Sequence, residues 1–256
     1  MTNQKGGVAK TTTVHNLGVA LQREGQRVLV VDLDPQANLT SRLGLSVGEH
    51  RRSVYEVLVN HDPIRDVIHE TADGIDLVPS DELLMRAEGQ MEAGHIGWVR
   101  QLHRALDPIR GRYDFCLFDT PPVRGFLTVN ALIAATSGVI IPFIPELDSL
   151  IGMQLLLGRM DELRGANPNL EPIAVIPVLV DRNWRNHLET IEQIKARMPH
   201  LPLTEPIMRH ADFPKARAAG MSILDYAPNG AGARAYRHLA AAILAAEIPA
   251  TPVPTR

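Results

Sequence analysis

The segment KGGVAKTT, residues 5–12, constrains the fold of this chain more than any other stretch of its sequence. Gly6 and Gly7 lack a Cβ, so the backbone can turn sharply there and its N–H groups can approach phosphate oxygens. A helix predicted to begin near Lys10 adds its positive N-terminal end. Lys10 supplies a charge for the outer phosphates of a nucleotide, and the Thr11 hydroxyl suits Mg²⁺. Against the alternative of a random Gly/Lys/Thr-rich turn, the segment predicts a phosphate-binding loop.

Two residues depart from the general loop pattern G-x-x-x-x-G-K-[ST], because Gln4 and Ala9 occupy both of its glycine positions. Ala9 is harmless if its φ is negative and costs about 1–2 kcal/mol if its φ is positive. Lys5 is a second lysine just before the glycines, and holding one nucleotide does not require it. We therefore expect a loop of another kind rather than a damaged one.

The rest of the chain alternates short apolar runs with helical patterns. This alternation predicts an α/β fold, with a mostly parallel sheet flanked by helices in a single domain, residues 1–247. Strands are predicted at 27–34, 75–79, 113–119, 138–144 and 172–180. Helices are predicted at 10–24, 80–90, 95–110, 126–136, 148–165, 187–198 and 231–247. The proline-rich residues 248–256 are predicted to form a flexible tail.

The start of the chain is unusual for such a fold. A phosphate-binding loop normally follows a central strand, yet only residues 1–4 precede Lys5. Either the first strand is reduced to a stub or the true start lies upstream, and we favour the second.

Composition excludes several classes of protein. A share of 45% hydrophobic and 21% charged residues predicts an ordinary soluble globule. The single cysteine, Cys116, rules out an internal disulfide and a cysteine-only metal site, and we expect a buried, inert thiol. No apolar run reaches the roughly 18 residues of a membrane span, so we expect a cytoplasmic protein. The net charge is -3, but residues 178–238 hold 9 Lys/Arg against 6 Asp/Glu, a weak basic bias.

Two further segments place carboxylates at predicted strand ends. In VLVVDLDPQAN, residues 28–38, Asp32 and Asp34 share a face of an extended chain and can address a phosphate and its metal. In DFCLFDTPP, residues 114–122, Asp119 emerges at the carboxyl end of an apolar strand, where open α/β sheets bind ligands. Both segments therefore predict ligands for the metal and the phosphates.

Together the three segments resemble the ParA/MinD family of deviant-Walker P-loop ATPases. Residues 5–12 match its signature K-G-G-x-G-K-[ST]-[ST] except at Ala9, and the other segments match V-D-x-D-P-Q-x-N and D-[TA]-P-P. The resemblance implies ATP and Mg²⁺ as cofactors. It implies that Lys5 reaches the phosphates bound to a partner copy, and that Asp34 positions the attacking water. The implied nucleotide-binding residues are Gly6, Gly7, Val8, Ala9, Lys10, Thr11 and Thr12, and the implied metal residues are Thr11, Asp32 and Asp119.

Farther along, residues 218–243 resemble the family's G-x-x-[IV]…P…G-A-x-A-Y-x-x-L pattern. Before them, IMRHADFPKAR at 207–217 keeps Arg209 of the family's P-R-N-x-x-x-x-E-A-P, while His210, Lys215 and Arg217 replace asparagine, glutamate and proline. We therefore name only Met208 and Pro214 as neighbours of the adenine.

The branches of the family differ in cargo. The C-terminus lacks the amphipathic membrane helix of MinD-like members, and one cysteine cannot bridge an iron–sulfur cluster. Four residues before the loop leave no room for the DNA-reading domain of larger plasmid partition ATPases. The chain most resembles short, Soj-like ParA ATPases of chromosome or plasmid segregation. The resemblance implies an ATP-dependent homodimer on nonspecific double-stranded DNA, associated with the nucleoid and released when a ParB-like protein accelerates slow hydrolysis.

DNA contact requires lysines and arginines that meet phosphates. The candidates are Arg182, Arg185, Arg209, Lys215, Arg217, Arg234 and Arg237. Two other functions stay open: a P-loop metabolic enzyme, such as an ATP-dependent ligase or small-molecule kinase, and an ATPase that positions a protein cargo.

Overall fold

The computed structural model describes residues 1–3, 5–46, 52–92, 96–122, 125–146 and 148–246. Gln4 and the predicted tail at 248–256 lie outside these residues. No helix in the described ranges is long and apolar enough to cross a bilayer.

The strands form two sheets. In the first, the order is β2-β3-β1-β4, with β3, β1 and β4 parallel and β2 antiparallel to β3. In the second, β5, β6 and β7 are parallel and adjacent in that order. The strand bounds are β1 Val28–Asp32, β2 His69–Glu70, β3 Asp76–Val78, β4 Phe115–Asp119, β5 Val139–Phe143, β6 Pro172–Val180 and β7 Ile207–Met208. The predicted α/β fold with a mostly parallel sheet is confirmed.

Helices cover both faces of these sheets. Their bounds are α1 Lys10–Arg23, α2 Asn38–Arg42, α3 Leu83–Glu92, α4 Gln101–Leu106, α5 Phe126–Ala134, α6 Ser149–Leu163, α7 Arg185–Arg197, α8 Asp212–Ala218, α9 Ile223–Tyr226 and α10 Ala231–Ala245. The predicted helix 95–110 is interrupted, with 3-10 turns at Ile96–Arg100 and Asp107–Ile109 on either side of α4. The sequence patterns missed α2, α8 and α9, which are too short to show a helical period.

Burial on both faces explains the apolar strands. All five residues of β1 are buried, because α1 and α10 cover one face of the sheet while α4 and α5 cover the other. A parallel strand covered on both sides reads as a continuous apolar run rather than an alternating one. Tyr236 of α10 lies in the first core and its hydroxyl is 3.2 Å from Thr13 Oγ1, which brings the starts of α10 and α1 together.

The first residues of the chain lie between the two sheets. The Met1 amino group donates to Phe118 O of β4, and Thr2 N donates to Ile140 O of β5 at 3.3 Å. Asn3 Nδ2 also donates to Pro142 O at 2.7 Å. Residues 1–3 therefore form a short bridge between β4 and β5, which are not hydrogen-bonded to each other in the described part of the chain.

Cys116 lies near this junction. Burial raises the pKa of its thiol to about 12, which agrees with the predicted inert cysteine, although part of its surface faces a cavity between β4 and β5.

Candidate nucleotide-binding site

The loop before α1 has the backbone of a phosphate cradle. Gly7 has φ +75°, and Ala9 has φ 55° and ψ 27°, both in the left-handed region. Ala9 O then accepts the first helical hydrogen bond, from Thr13 N at 2.8 Å. The open question about Ala9 is therefore answered, because its φ is positive and the strain is about 1–2 kcal/mol. The energy stored here is typical of a functional loop.

Lys10 opens α1 and points inward. Its side chain is 7% exposed, and Nζ donates to Asn3 O at 3.1 Å. Burial lowers its pKa, while the charges of Asp119 and Asp34 act in the opposite direction. The structure thus brings the predicted phosphate lysine and two of the predicted carboxylates into one electrostatic neighbourhood.

Asp119 is the last residue of β4, and its carboxylate is buried without a hydrogen-bond partner. It is 1% exposed, and neither of its oxygens has a hydrogen-bond partner. Burial raises its pKa to about 6, an effect partly offset by the nearby Thr11 hydroxyl, which does not reach hydrogen-bond geometry. An unpaired buried carboxylate beside a hydroxyl suits Mg²⁺, which prefers oxygen ligands. Thr11 and Asp119 therefore fit the metal predicted from the sequence.

Asp32, at the end of β1, holds the neighbouring loop. Its Oδ2 accepts from Thr40 N at 2.9 Å and Thr40 Oγ1 at 2.8 Å, and its Oδ1 accepts from Asp34 N at 3.1 Å. Burial, and then the charge of Asp119, raise its pKa to about 8. Two such carboxylates resist ionising together unless a cation joins them. Asp32 therefore fixes the loop that follows β1 and adds negative charge beside Asp119.

Asp34 is half-buried at the start of that loop. Its Oδ1 accepts from Gln36 N at 3.0 Å, and its carbonyl accepts from Ser80 Oγ at 2.7 Å. Ala37 follows with φ 50°, a second left-handed alanine beside the site. The loop is thus fixed at both ends while the carboxylate of Asp34 stays near the phosphate lysine.

Lys5 differs from Lys10 in environment. It is exposed and forms an ion pair with Glu146, which follows β5. Its backbone N donates to Asn3 Oδ1 at 3.0 Å. The sequence patterns missed Glu146, because nothing local links a residue 141 positions away to the loop.

Arg42 of α2 is a second residue that the sequence analysis missed. Its Nη1 donates to Thr12 Oγ1 at 2.8 Å, while its buried Nε has no partner. Burial, and then the charge of Arg217, lower its pKa. Thr12, Arg42 and Arg217 line a cavity of about 200 Å³ that Pro214 also borders. Met208 is half-buried at the end of β7 and does not line this cavity, so the structure brings only Pro214 of the two adenine candidates close to Thr12.

The basic candidates divide into two groups. Arg234 and Arg237 of α10 donate to the carbonyls of Asn229 and Pro228, so both stabilise the preceding turn. Arg185 pairs with Glu189 within α7.

Arg182, Arg209, Lys215 and Arg217 form the second group, and all four are exposed. Arg182 and Arg209 follow the carboxyl ends of the adjacent strands β6 and β7, where Arg209 N donates to Val180 O at 2.8 Å. Lys215 and Arg217 lie on α8. Two of these charges therefore lie at the carboxyl ends of β6 and β7, and the other two lie on the helix that follows β7.

The loop, the strand-end carboxylates and the parallel sheets define a P-loop nucleotide-binding protein. Residues 1–172 match the family described as AAA domain. The chain is 36% identical to the sporulation initiation inhibitor protein Soj of Bacillus subtilis over 247 residues, which cover 96% of this chain and 97% of that protein. It is 42% identical to an uncharacterized protein of Mycobacterium tuberculosis, covering 94% of this chain and 76% of that protein. The chain belongs to the ParA/Soj family of P-loop ATPases.

A solved structure shares the fold of this chain. The cobyrinic acid a,c-diamide synthase of Mycobacterium smegmatis, with bound ATP analog and magnesium, superposes with a TM-score of 0.81 at 35% identity. The match covers 95% of this chain and 92% of that one. The ligands in that structure agree with the cofactors predicted here, ATP and Mg²⁺.

Proposed function

We propose that the chain is a DNA-partitioning ATPase, in which Mg-ATP joins two copies face to face and the dimer holds DNA without sequence preference. The single observation that carries this proposal is the contrast between its two loop lysines. Lys10 is buried against its own loop, whereas Lys5 is exposed beside Glu146 and can leave that ion pair at little cost. In this proposal Lys10 binds the nucleotide of its own subunit, and Lys5 is free to contact the nucleotide of a partner copy.

Hydrolysis requires a water aligned with the terminal phosphate, and stabilisation of the charge on the transferring group. In this proposal, Asp34 orients that water, while Lys10 and the N–H groups of residues 6–12 hold the phosphates. Thr11 and Asp119 would hold Mg²⁺, which would supply positive charge to the phosphates when bound. Lys5 of a second copy adds a positive charge from the other side. Turnover is therefore slow until two copies have closed.

Binding of DNA follows from the exposed basic residues. Arg182 and Arg209 supply charges after β6 and β7, Lys215 and Arg217 supply charges on α8, and dimerisation doubles their number. Affinity for DNA phosphates then rises through the release of counterions and falls with salt. A ParB-like protein that accelerates hydrolysis would return the protein to its free form, giving a cytoplasmic pool and a nucleoid-associated pool.

A second candidate is an ATP-dependent synthase, favoured by the 35% identity with the Mycobacterium smegmatis enzyme. An ATPase that positions a protein cargo would share the nucleotide chemistry and differ in its partner. A synthase should release ADP faster when given a cobyrinic-acid-like substrate, and a cargo ATPase should dimerise with ATP without retaining DNA.

Sedimentation velocity tests the proposed dimer. We expect a monomer with ADP and a dimer with ATP and Mg²⁺, and we expect Lys5→Ala to remain monomeric with ATP while still binding the nucleotide. Lys195→Ala is the matched control, because Lys195 is another exposed lysine in an ion pair, with Glu192 on α7. If Lys5→Ala dimerised as well as the control, the proposed role of Lys5 would be wrong.

A further inference from the structure

The cavity of about 200 Å³ beside the phosphate loop lies between α1, α2 and α8. Thr12, His15 and Asn16 line it from α1 and Arg42 lines it from α2, while α8 and the segment after it complete the wall. Sites for whole small molecules have volumes of about 300–1,000 Å³. This cavity therefore has room for only one part of a ligand of nucleotide size.

Two of the polar side chains that line the cavity already have partners. Asn16 Nδ2 donates to Thr12 O at 2.7 Å, and Asn16 Oδ1 accepts from Ile223 N at 2.7 Å. His15 Nε2 is hydrogen-bonded to the carboxylate of Asp73. These two side chains therefore shape the cavity without needing a ligand.

The arginine of α2 is different. Arg42 Nη1 donates to Thr12 Oγ1 at 2.8 Å, but its buried Nε has no acceptor. A guanidinium carries five N–H donors, and a buried donor without an acceptor is costly. Arg217 lines the same cavity, and its charge, after burial, lowers the pKa of Arg42. An anion between the two would relieve both the missing acceptor and the repulsion.

The position of the cavity along α1 indicates which anion this is. Thr13 N donates to Ala9 O at 2.8 Å, so the N–H groups of residues 10–12 precede the first helical bond and have no acceptor within the helix. In phosphate-binding loops such N–H groups hold the α- and β-phosphates, while the lysine reaches the β- and γ-phosphates. Lys10 therefore serves the outer phosphates, and Thr12 lies on the side of the phosphate nearest the sugar.

The fold itself holds Arg42 in position. Thr40, two residues earlier in α2, donates its N and Oγ1 to Asp32 Oδ2 at 2.9 and 2.8 Å. Thr40 Oγ1 also accepts from Ser80 N at 2.9 Å, just after β3. The helix is thus fixed to the ends of two neighbouring strands, and an arginine on a fixed helix loses less conformational entropy when it binds a ligand.

We propose that Arg42 binds the α-phosphate of the nucleotide, donating its free N–H groups to a nonbridging oxygen of that phosphate inside the cavity. Pro214, the adenine candidate, borders the same cavity, so the cavity joins the phosphate loop to the expected place of the base. A planar guanidinium suits phosphate oxygens, and such charge-assisted contacts are stronger than neutral ones. This role for Arg42 rests on the nucleotide site of the proposed function, but on neither its dimer nor its DNA contact.

Sulfur substitution at the α-phosphate tests the contact directly. The two diastereomers of ADPαS carry sulfur, a weak acceptor, at one or the other nonbridging oxygen. Isothermal titration calorimetry in EDTA excludes any preference of a metal for oxygen. We expect the wild-type protein to bind one diastereomer about tenfold more weakly than the other. In Arg42→Gln, ADP and ADPβS should both bind roughly 10- to 50-fold more weakly than to wild type, and the two diastereomers of ADPαS should bind alike.

Two further variants serve as checks. Arg42→Lys keeps the charge but not the planar fork, so it should recover part of the affinity for ADP while its diastereomer ratio still differs from that of wild type. The test thus survives if the glutamine variant folds poorly. Arg23→Gln is the matched control, because Arg23 donates to Leu224 O at 3.1 Å and does not line the cavity. It should change neither the affinity for ADP nor the ratio.

Three outcomes would overturn the proposal. An unchanged diastereomer ratio in Arg42→Gln would mean that Arg42 acts only by holding Thr12. A loss of affinity that differs between ADP and GDP would assign the cavity to the base. A wild-type protein that binds neither ADP nor its thio analogues would contradict the nucleotide site itself, and with it the proposed function.

Discussion

The charged residues of the candidate nucleotide-binding site and the basic residues of the C-terminal half differ in how far they are exposed to solvent. Lys10, Asp32 and Asp119 are all less than 10% exposed, and burial has shifted the pKa of each. Lys215 and Arg217 are exposed on α8, and both lie in water. A desolvated charge interacts strongly with whatever replaces its water, whereas an exposed one is screened by salt. Single substitutions should therefore abolish nucleotide binding in the first region, whereas in the second they should only weaken the binding of DNA.

The largest effect is expected from Lys10→Ala. The side chain is buried beside two carboxylates, so its loss leaves their charge facing the incoming phosphates without compensation. We expect ATP affinity, measured by isothermal titration calorimetry, to fall by at least about 100-fold, the loss typical of a buried charge-assisted contact. Lys195→Ala should bind ATP normally. An unchanged ATP affinity in Lys10→Ala would show that Lys10, Asp32 and Asp119 do not form the nucleotide-binding site.

The acidic pair should make the binding of magnesium and nucleotide dependent on pH. The pKa of Asp32 is raised to about 8 and that of Asp119 to about 6, so between pH 6 and 8 the pair still holds a proton that a divalent cation must displace. Affinity for Mg²⁺ in the presence of ADP should rise roughly 50- to 100-fold from pH 6 to pH 8, because the displacement of one proton changes affinity nearly tenfold for each pH unit below a pKa of about 8. Asp32→Asn should flatten this profile. A profile that falls as pH rises would contradict the assignment.

A smaller effect is expected on the exposed surface. Replacing Lys215 and Arg217 together with alanine should weaken ATP-dependent binding to a random DNA duplex about tenfold and reduce the slope of log affinity against log salt by roughly 2. The matched control replaces Lys195 and Arg197, two basic residues in the last turn of α7. An equal loss in both pairs would mean that net charge, rather than this surface, governs binding.

The smallest effect is expected from Ala9→Gly. Glycine takes a positive φ without strain from a Cβ, so the substitution should stabilise the fold by about 1 kcal/mol, or roughly 2–4 °C in Tm by calorimetry. Gly18→Ala, in the middle of α1 where Ile75 and Val30 stand 3.4 Å from a new Cβ, is not expected to give this gain. No rise in Tm for Ala9→Gly would show that the loop relaxes around its alanine.

Sequence reasoning succeeded where chemistry was local and failed where it depended on distant contacts. The loop, Asp32 and Asp119 were found because each motif is a short run with a fixed spacing. The positive φ of Ala9 was not predictable, since both signs of φ are compatible with the sequence. Glu146 and Arg42 were missed because their partners, Lys5 and Thr12, are 141 and 30 residues away.

The C-terminal half shows the same limit for the weaker signals. Arg234 and Arg237 are candidates for DNA contact by their charge alone, yet in the fold they donate to the carbonyls of the turn at 228–229. Short elements such as β7 and α8 could not be recognised, because two to seven residues are too few to establish a period.

Retention of a random DNA duplex, compared with ATP, with ADP and without nucleotide, tests the central claim most directly. Fluorescence anisotropy with wild-type protein at moderate salt should show binding with ATP only, and the binding should be lost in Lys5→Ala and at higher salt. Equal binding in all three nucleotide states, or none with ATP when the dimer has formed, would contradict the account that the buried cluster controls the exposed basic surface.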